Sequence, residues 1–152
     1  MLLERSPTPS PSGQAMAYHC PSIAVAVVVH DGTVLVGRRA DDALEEPGRA
    51  EFPGGKVELH ESAAEAAARE CLEETGVAVR MLDRPCTVVA GQPPLRTISF
   101  HWAAPLDPGV PPRPPFAWLT IADLSRCRFP AANDTVLAIL RAEHAAPGHG
   151  GS

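Results

Sequence analysis

The stretch from Ser62 to Gly76, SAAEAAARECLEETG, restricts this chain more than any other. Ser62 followed by Glu65 is the pattern in which each side chain satisfies the other's backbone N–H at a helix start. The intervening run is rich in alanine, leucine and glutamate, all strong helix formers. Gly76 supplies the residue type that enters the left-handed conformation at a helix end without steric cost. The spacing therefore predicts a helix over 62–75, and its two sides differ in chemistry. Ala64, Ala67, Ala68, Cys71 and Leu72 make a small apolar face suited to close packing on a sheet. Glu70, Glu73 and Glu74 stand at i, i+3 and i+4, so their carboxylates project together, about 5 to 6 Å apart.

Three like charges in one small volume either take up protons or recruit a hard divalent cation with oxygen ligands. Arg69 lies beside them and Glu61 precedes the helix, so an ion pair between the two would brace the incoming loop. Taken alone, such a glutamate cluster is usually a solvated helix face. Immediately upstream, however, lies Phe52-Pro53-Gly54-Gly55-Lys56. Two glycines let bare backbone approach a ligand closely, and a lysine can meet phosphate oxygens. Acidic helix and Gly-Gly-Lys loop together imply a metal-bound phosphate substrate.

Residues 55–77 match the pattern G-x5-E-x7-R-E-U-x-E-E-x-G-U, with U apolar, at every specified position. The chain thus resembles the Nudix hydrolases. The resemblance implies cleavage of a nucleoside diphosphate linked to another moiety, with water attacking phosphorus. It also implies Mg²⁺, with Mn²⁺ as a substitute, held by Glu70, Glu73, Glu74 and the carbonyl of Gly55. Glu70, Glu73, Arg69 and Glu61 form the expected catalytic set, with Glu70 orienting or deprotonating the water.

Outside that box the chain is similar to MutT-type nucleoside triphosphate pyrophosphohydrolases at Gly37-Arg38-Arg39-Ala40, at Glu51 to Lys56, and at Trp118 followed by Phe129-Pro130-Ala131-Ala132-Asn133. By that resemblance Asn133 reads an oxidised guanine edge, Phe52 lines the base pocket and Arg39 is a cation near the nucleotide. Gly54 and Lys56 complete the substrate-binding set. An amide both donates and accepts, as discrimination of a purine edge requires. Asn133 is placed equally well as an N-cap before Asp134-Thr135-Val136. The leading substrate is 8-oxo-dGTP. CTP, dCTP or other pyrimidine nucleotides come next, and ADP-ribose or a nucleotide sugar third, the last suggested by Pro93. A non-enzymatic nucleotide-sensing module would be expected to carry damaged glutamates, and all are intact here.

One departure stands out. MutT-like enzymes commonly supply a further acidic residue from the loop after the central strands, yet between Asp83 and Asp123 only Asp107 is acidic. Either Asp107 reaches inward, the three glutamates suffice, or the activity differs. That loop, AAPLDPGVPPRPP, cannot join a central sheet because prolines lack the ladder donor, so residues 103–115 are expected to be exposed, as a stiff spacer or a proline-recognition site.

The remaining chain reads as strands at 22–30 and 33–39 around an Asp31-Gly32 turn, a loop from Ala40 to Ala50, strands near 77–82, 86–90, 95–102 and 116–120, and a helix over 133–145. That order predicts an α/β fold, with the α/β/α sandwich and mixed β-sheet between helices of the Nudix resemblance. The expected organisation is a leader at 1–18, one domain over 19–145 and a flexible tail at 146–152. A net charge of −5 disfavours polymeric nucleic acid and favours a small-molecule nucleotide. Cys20, Cys71, Cys86 and Cys127 lack metal-ligand or disulfide spacing, which fits a reducing cytoplasm, and no apolar run is long enough for a membrane span.

Overall fold

The computed structural model describes residues 22–40, 42, 44, 47–94 and 97–145. The expected leader, the tail, Cys20 and the start of the domain at 19 lie outside the described residues.

Asp31 and Gly32 both take positive φ, 49° and 75°, which matches the twist of the tight turn joining β1 (Ile23–His30) to β2 (Thr33–Arg38). β1 is the centre of a mixed sheet. It pairs antiparallel with β2 and with the short β4 (Gly54–Lys56), and parallel with β7 (Thr97–Pro105) from Ile23↔Ile98 to Val28↔Ala103. β2 is flanked by β3 (Ala50–Glu51) and β8 (Phe116–Thr120), while β5 (Val79–Met81) and β6 (Thr87–Ala90) pair with opposite ends of β7. The interior of β1 is buried without alternation because both faces of the sheet are covered.

Two cores divide those faces. Val25, Val27, Phe100 and Trp102 meet Val136, Leu137 and Leu140 of helix α2 (Asp134–Ala145), together with Leu124 of a 3₁₀ turn, Ile121–Arg126. Ala24, Ala26, Val28 and Ala103 meet Ala66, Ala67 and Cys71 of helix α1 (Ala63–Thr75) on the other side. The expected α/β/α layering with a mixed sheet is therefore the observed one.

Several boundaries shift for physical reasons. Ser62 is the cap: its hydroxyl accepts from Glu65 N–H at 3.0 Å, and Glu65 accepts from Ser62 N–H at 2.8 Å. The residues Ala103 to Pro105, expected in the proline-rich loop, belong to β7. β1 stops pairing at Ala103, so β7 is an edge beyond that point and Pro105 ends it without breaking a central ladder. β3 and β4 arise in segments read as loop, because each is only two or three residues long and is recruited by a neighbouring strand. α2 starts at Asp134, with Asn133 closing a preceding 3₁₀ turn.

The buried stripe of α1 is also rotated from expectation. Ala66, Ala67, Cys71 and Thr75 are buried, whereas Leu72 is 49% exposed. This rotation brings Glu70 and Glu74 alongside the packed face and turns them toward β4.

Truncating Leu140, 2% exposed, to alanine should cost about 2–5 kcal/mol, while Leu72→Ala should cost under about 0.5 kcal/mol. Urea unfolding midpoints of the two variants check the assignment of faces.

Candidate functional site

The guanidinium of Arg69 organises the acidic end of α1. Its Nε and Nη2 donate to the two oxygens of Glu61 at 3.0 and 2.7 Å, a bidentate pair. Nη1 donates to Glu70 Oε2 and to Glu73 Oε1, both at 3.2 Å, and Nη2 also reaches the Lys56 carbonyl at 3.1 Å. Glu61 accepts a further bond from Glu58 N–H at 2.9 Å. The anticipated Glu61–Arg69 brace is thus present, tying the loop after β4 to the helix. Arg69 holds the Glu61 carboxyl below its ordinary range, and Glu61 in turn holds the guanidinium proton more firmly.

Glu74 points the other way and accepts from Gly54 N–H at 3.2 Å. Burial pushes its carboxyl up to about 7; the Gly54 bond opposes this, and the charges of Glu70 and Glu51 add to it. The protein therefore stores a carboxyl that at neutral pH is only partly ionised. Bare backbone is essential beside it: a Cβ on Gly55 would overlap the Glu70 carboxyl, and one on Gly54 would sit 2.6 Å from the Ala24 carbonyl. Glu70 and Glu73 lean to Arg69 and Glu74 leans to Gly54, so among the described residues no three acidic, imidazole or thiol groups converge as a finished cage. The donor chemistry nevertheless suits a hard cation: carboxylate oxygens, an adjacent bare glycine backbone, and one carboxyl raised in pKa by burial first and by neighbouring negative charge second.

Gly54 also borders a cleft of about 720 Å³. Ile23, Val25, Ile98 and Phe52 form its apolar walls, and Arg49, Glu51, Gln92 and Asn133 supply polar groups. Phe52 is stacked on Phe129 at 5.0 Å between ring centres, which fixes that wall. Asn133 is 8% exposed; its backbone N–H donates to the Pro130 carbonyl at 3.0 Å, and its side-chain amide makes no hydrogen bond among the described residues. The capping alternative for its side chain thus has no bond to support it.

Not every expected residue is drawn in. Arg39 lines a smaller depression with Gly37, Arg38 and Pro115 that shares Arg49 and Glu51 with the cleft, and its backbone N–H donates to the Arg49 carbonyl at 2.8 Å. The Lys56 side chain is exposed and outside the cleft. Asp107 turns onto its own loop, accepting from Gly109 N–H at 2.9 Å. Conversely, sequence reasoning overlooked Arg49, Glu51 and Gln92. For Arg49 the enabling contacts are long-range, a bridge to Arg128 and the bond from Arg39, and nothing local announces them.

Compared with known proteins, the chain matches the NUDIX domain family over residues 21–140. It belongs to the Nudix family. The protein is a hydrolase, MutT-like in character, of a family that acts on pyrophosphate bonds and generally uses divalent metal ions. It is 29% identical over 123 residues to the 8-oxo-dGTP diphosphatase of Escherichia coli, spanning 78% of this chain and 95% of that protein. A MutT structure from a study of the Aliivibrio salmonicida and Vibrio cholerae proteins is 28% identical, with a TM-score of 0.59, covering 80% of this chain and 97% of that one. A Nudix hydrolase structure from Nitrosomonas europaea superposes with a TM-score of 0.65 at 22% identity, over 82% of this chain and 72% of that one, and speaks for the fold alone.

Within this Nudix hydrolase the raised Glu74 carboxyl has a measurable consequence. Its folded value of about 7 lies above its ordinary 4.5, so the folded state binds the extra proton and the contribution to stability falls as pH rises through that window. Relative to Glu74→Gln, the metal-free protein should lose melting temperature between about pH 5 and pH 7.5, and Mg²⁺ should offset the loss at the upper end. Parallel curves for the two proteins would show that Glu74 does not carry the proton.

Proposed function

We propose that this Nudix hydrolase cleaves a nucleoside triphosphate to a nucleoside monophosphate and pyrophosphate, with 8-oxo-dGTP as the leading substrate and Mg²⁺ as the cofactor. One observation carries the reading: the cleft lined by Asn133 and Phe52 is also lined by Gly54, and Gly54 is bonded to Glu74 of the acidic cluster. A base seated between the apolar walls directs its phosphates toward Glu70, Glu73 and Glu74.

Mg²⁺ held there would supply neutralisation of charge on the phosphoryl oxygens. Glu70, Glu73 and Glu74, with the Gly55 backbone, are the oxygen donors proposed to hold it. Glu70, set against Gly55 at the centre of the cluster, orients the attacking water and accepts its proton. Arg69 and Glu61 keep the loop and helix in register and limit repulsion among the carboxylates. Asn133 donates and accepts along the base edge, its side-chain amide having no hydrogen-bond partner among the described residues. Asp107 is not part of this set.

The protein acts on the free nucleotide, since the acidic net charge gives no broad basic surface for a polymer. The free thiols of Cys71, Cys86 and Cys127 support a reducing cytoplasm as its setting. No helix among the described residues is long and apolar enough to cross a membrane.

Nucleoside monophosphate formation from a panel of oxidised and unoxidised purine nucleotides, pyrimidine nucleotides, ADP-ribose and nucleotide sugars tests the assignment, with pyrophosphate as the second product only from the triphosphates. Turnover should require Mg²⁺ and be greatest on 8-oxo-dGTP, and Glu70→Gln should lower kcat by about 10²-fold or more. Undiminished turnover in that variant removes Glu70 from the chemistry. Asn133→Ala should raise KM for 8-oxo-dGTP by about tenfold and for dGTP by less, the size of one lost hydrogen bond. Equal increases for the two would rule out reading of the oxidised edge.

A further inference from the structure

The last turn of α1 presents an electrostatic problem that its own sequence does not solve. A helix C-terminus carries partial negative charge and leaves its last carbonyls without partners. Here Glu70, Glu73 and Glu74 add formal negative charge at the same end, and the turn holds no basic residue. Gly76 N–H serves only the Leu72 carbonyl, at 2.9 Å.

The remaining three carbonyls are served by one residue from the proline-rich loop. Arg113 Nη1 donates to the Glu73 carbonyl at 2.7 Å and to the Glu74 carbonyl at 3.3 Å. Its backbone N–H donates to the Thr75 carbonyl at 2.8 Å. A Cβ on Gly76 would lie 3.5 Å from Nη2, so the guanidinium lies close over the turn. Pro111, Pro112, Pro114 and Pro115 flank it and fix φ on both sides. The Arg113 carbonyl accepts from Phe116 N–H at 3.0 Å, linking the arm to the start of β8.

We propose that Arg113 is a positioning residue for the hydrolytic reaction: the stiff proline-rich arm clamps the backbone of Glu73 and Glu74 so that their carboxylates stay aligned to receive the divalent cation. This rests on the metal role assigned to those glutamates under Proposed function. Helix ends fray, and unclamped fraying would displace two of the three donors. The loop turns its carboxylate, Asp107, onto itself and gives the helix a guanidinium instead.

Charge and positioning predict opposite effects, which makes the inference testable. Removing a nearby cation would by charge alone strengthen Mg²⁺ binding, whereas loss of alignment weakens it. Mg²⁺ is titrated against melting temperature without nucleotide, and separately against kcat and KM, for wild type, Arg113→Ala and Arg113→Lys. Arg113→Ala should raise the Mg²⁺ midpoint in both titrations by about tenfold, as expected for residues that orient ligands. KM for the nucleotide at saturating Mg²⁺ should change less than about twofold, and Arg113→Lys, which retains a donor, should recover part of the midpoint. If Arg113→Ala does not fold, the lysine variant alone decides, its midpoint lying above that of wild type. A variant that melts lower with an unmoved or tighter Mg²⁺ midpoint overturns the proposal and leaves Arg113 a stability residue. A wild type that shows no response to Mg²⁺ sinks the metal assignment itself, and this inference with it.

Discussion

The close approach of α1 to the bare backbone of Gly54 and Gly55 is the constraint on which the rest of the molecule depends. Alanine and cysteine, rather than larger residues, line the packed stripe of the helix, and this lets it sit low on β1 and β4. Only at that depth does Glu74 reach Gly54 N–H, and only a residue without Cβ at position 55 leaves room for the Glu70 carboxyl. Small side chains on the helix and glycines on the strand are two halves of one requirement. Negative charge is thereby carried into a half-buried place, where it costs most and is most useful.

Two arginines contain that cost from opposite ends. Arg69 lies on the helix itself, bonded to Glu61, Glu70 and Glu73, and it also anchors the loop after β4 through the Lys56 carbonyl. Arg113 arrives from far along the chain and engages carbonyls rather than carboxylates, so it steadies the helix end without occupying the acidic oxygens. Glu74, turned inward, accepts instead from Gly54 N–H, and burial pushes its carboxyl up to about 7.

The helix, its cap and stop, and the Glu61–Arg69 brace were legible in the sequence because they depend on residues a few positions apart or on a contiguous motif. The strands around the Asp31-Gly32 turn were legible for the same reason. The rotation of α1 was not, since alanines surround the helix and spacing alone does not say which of them face the sheet; Leu72 was assigned to the wrong side. Nor were Arg49 and Gln92, which border the cleft only because β3 and the chain before β7 are folded onto distant neighbours. The proline-rich stretch was legible as exposed only from Leu106 onward, its first three residues being taken into β7. Its one charged contact with α1 was not, because a single arginine between prolines carries no local signal of its partner.

The central claim is that Glu70, Glu73 and Glu74 together bind a divalent cation. Electron paramagnetic resonance of Mn²⁺ titrated into the protein measures this directly, through loss of the free-ion signal. The account predicts saturable uptake by the wild type, displacement by excess Mg²⁺, and loss of uptake when all three glutamates are replaced by glutamine in a protein whose circular dichroism is unchanged. A free-ion signal undiminished by the wild type, or equal uptake by the triple variant, would contradict it.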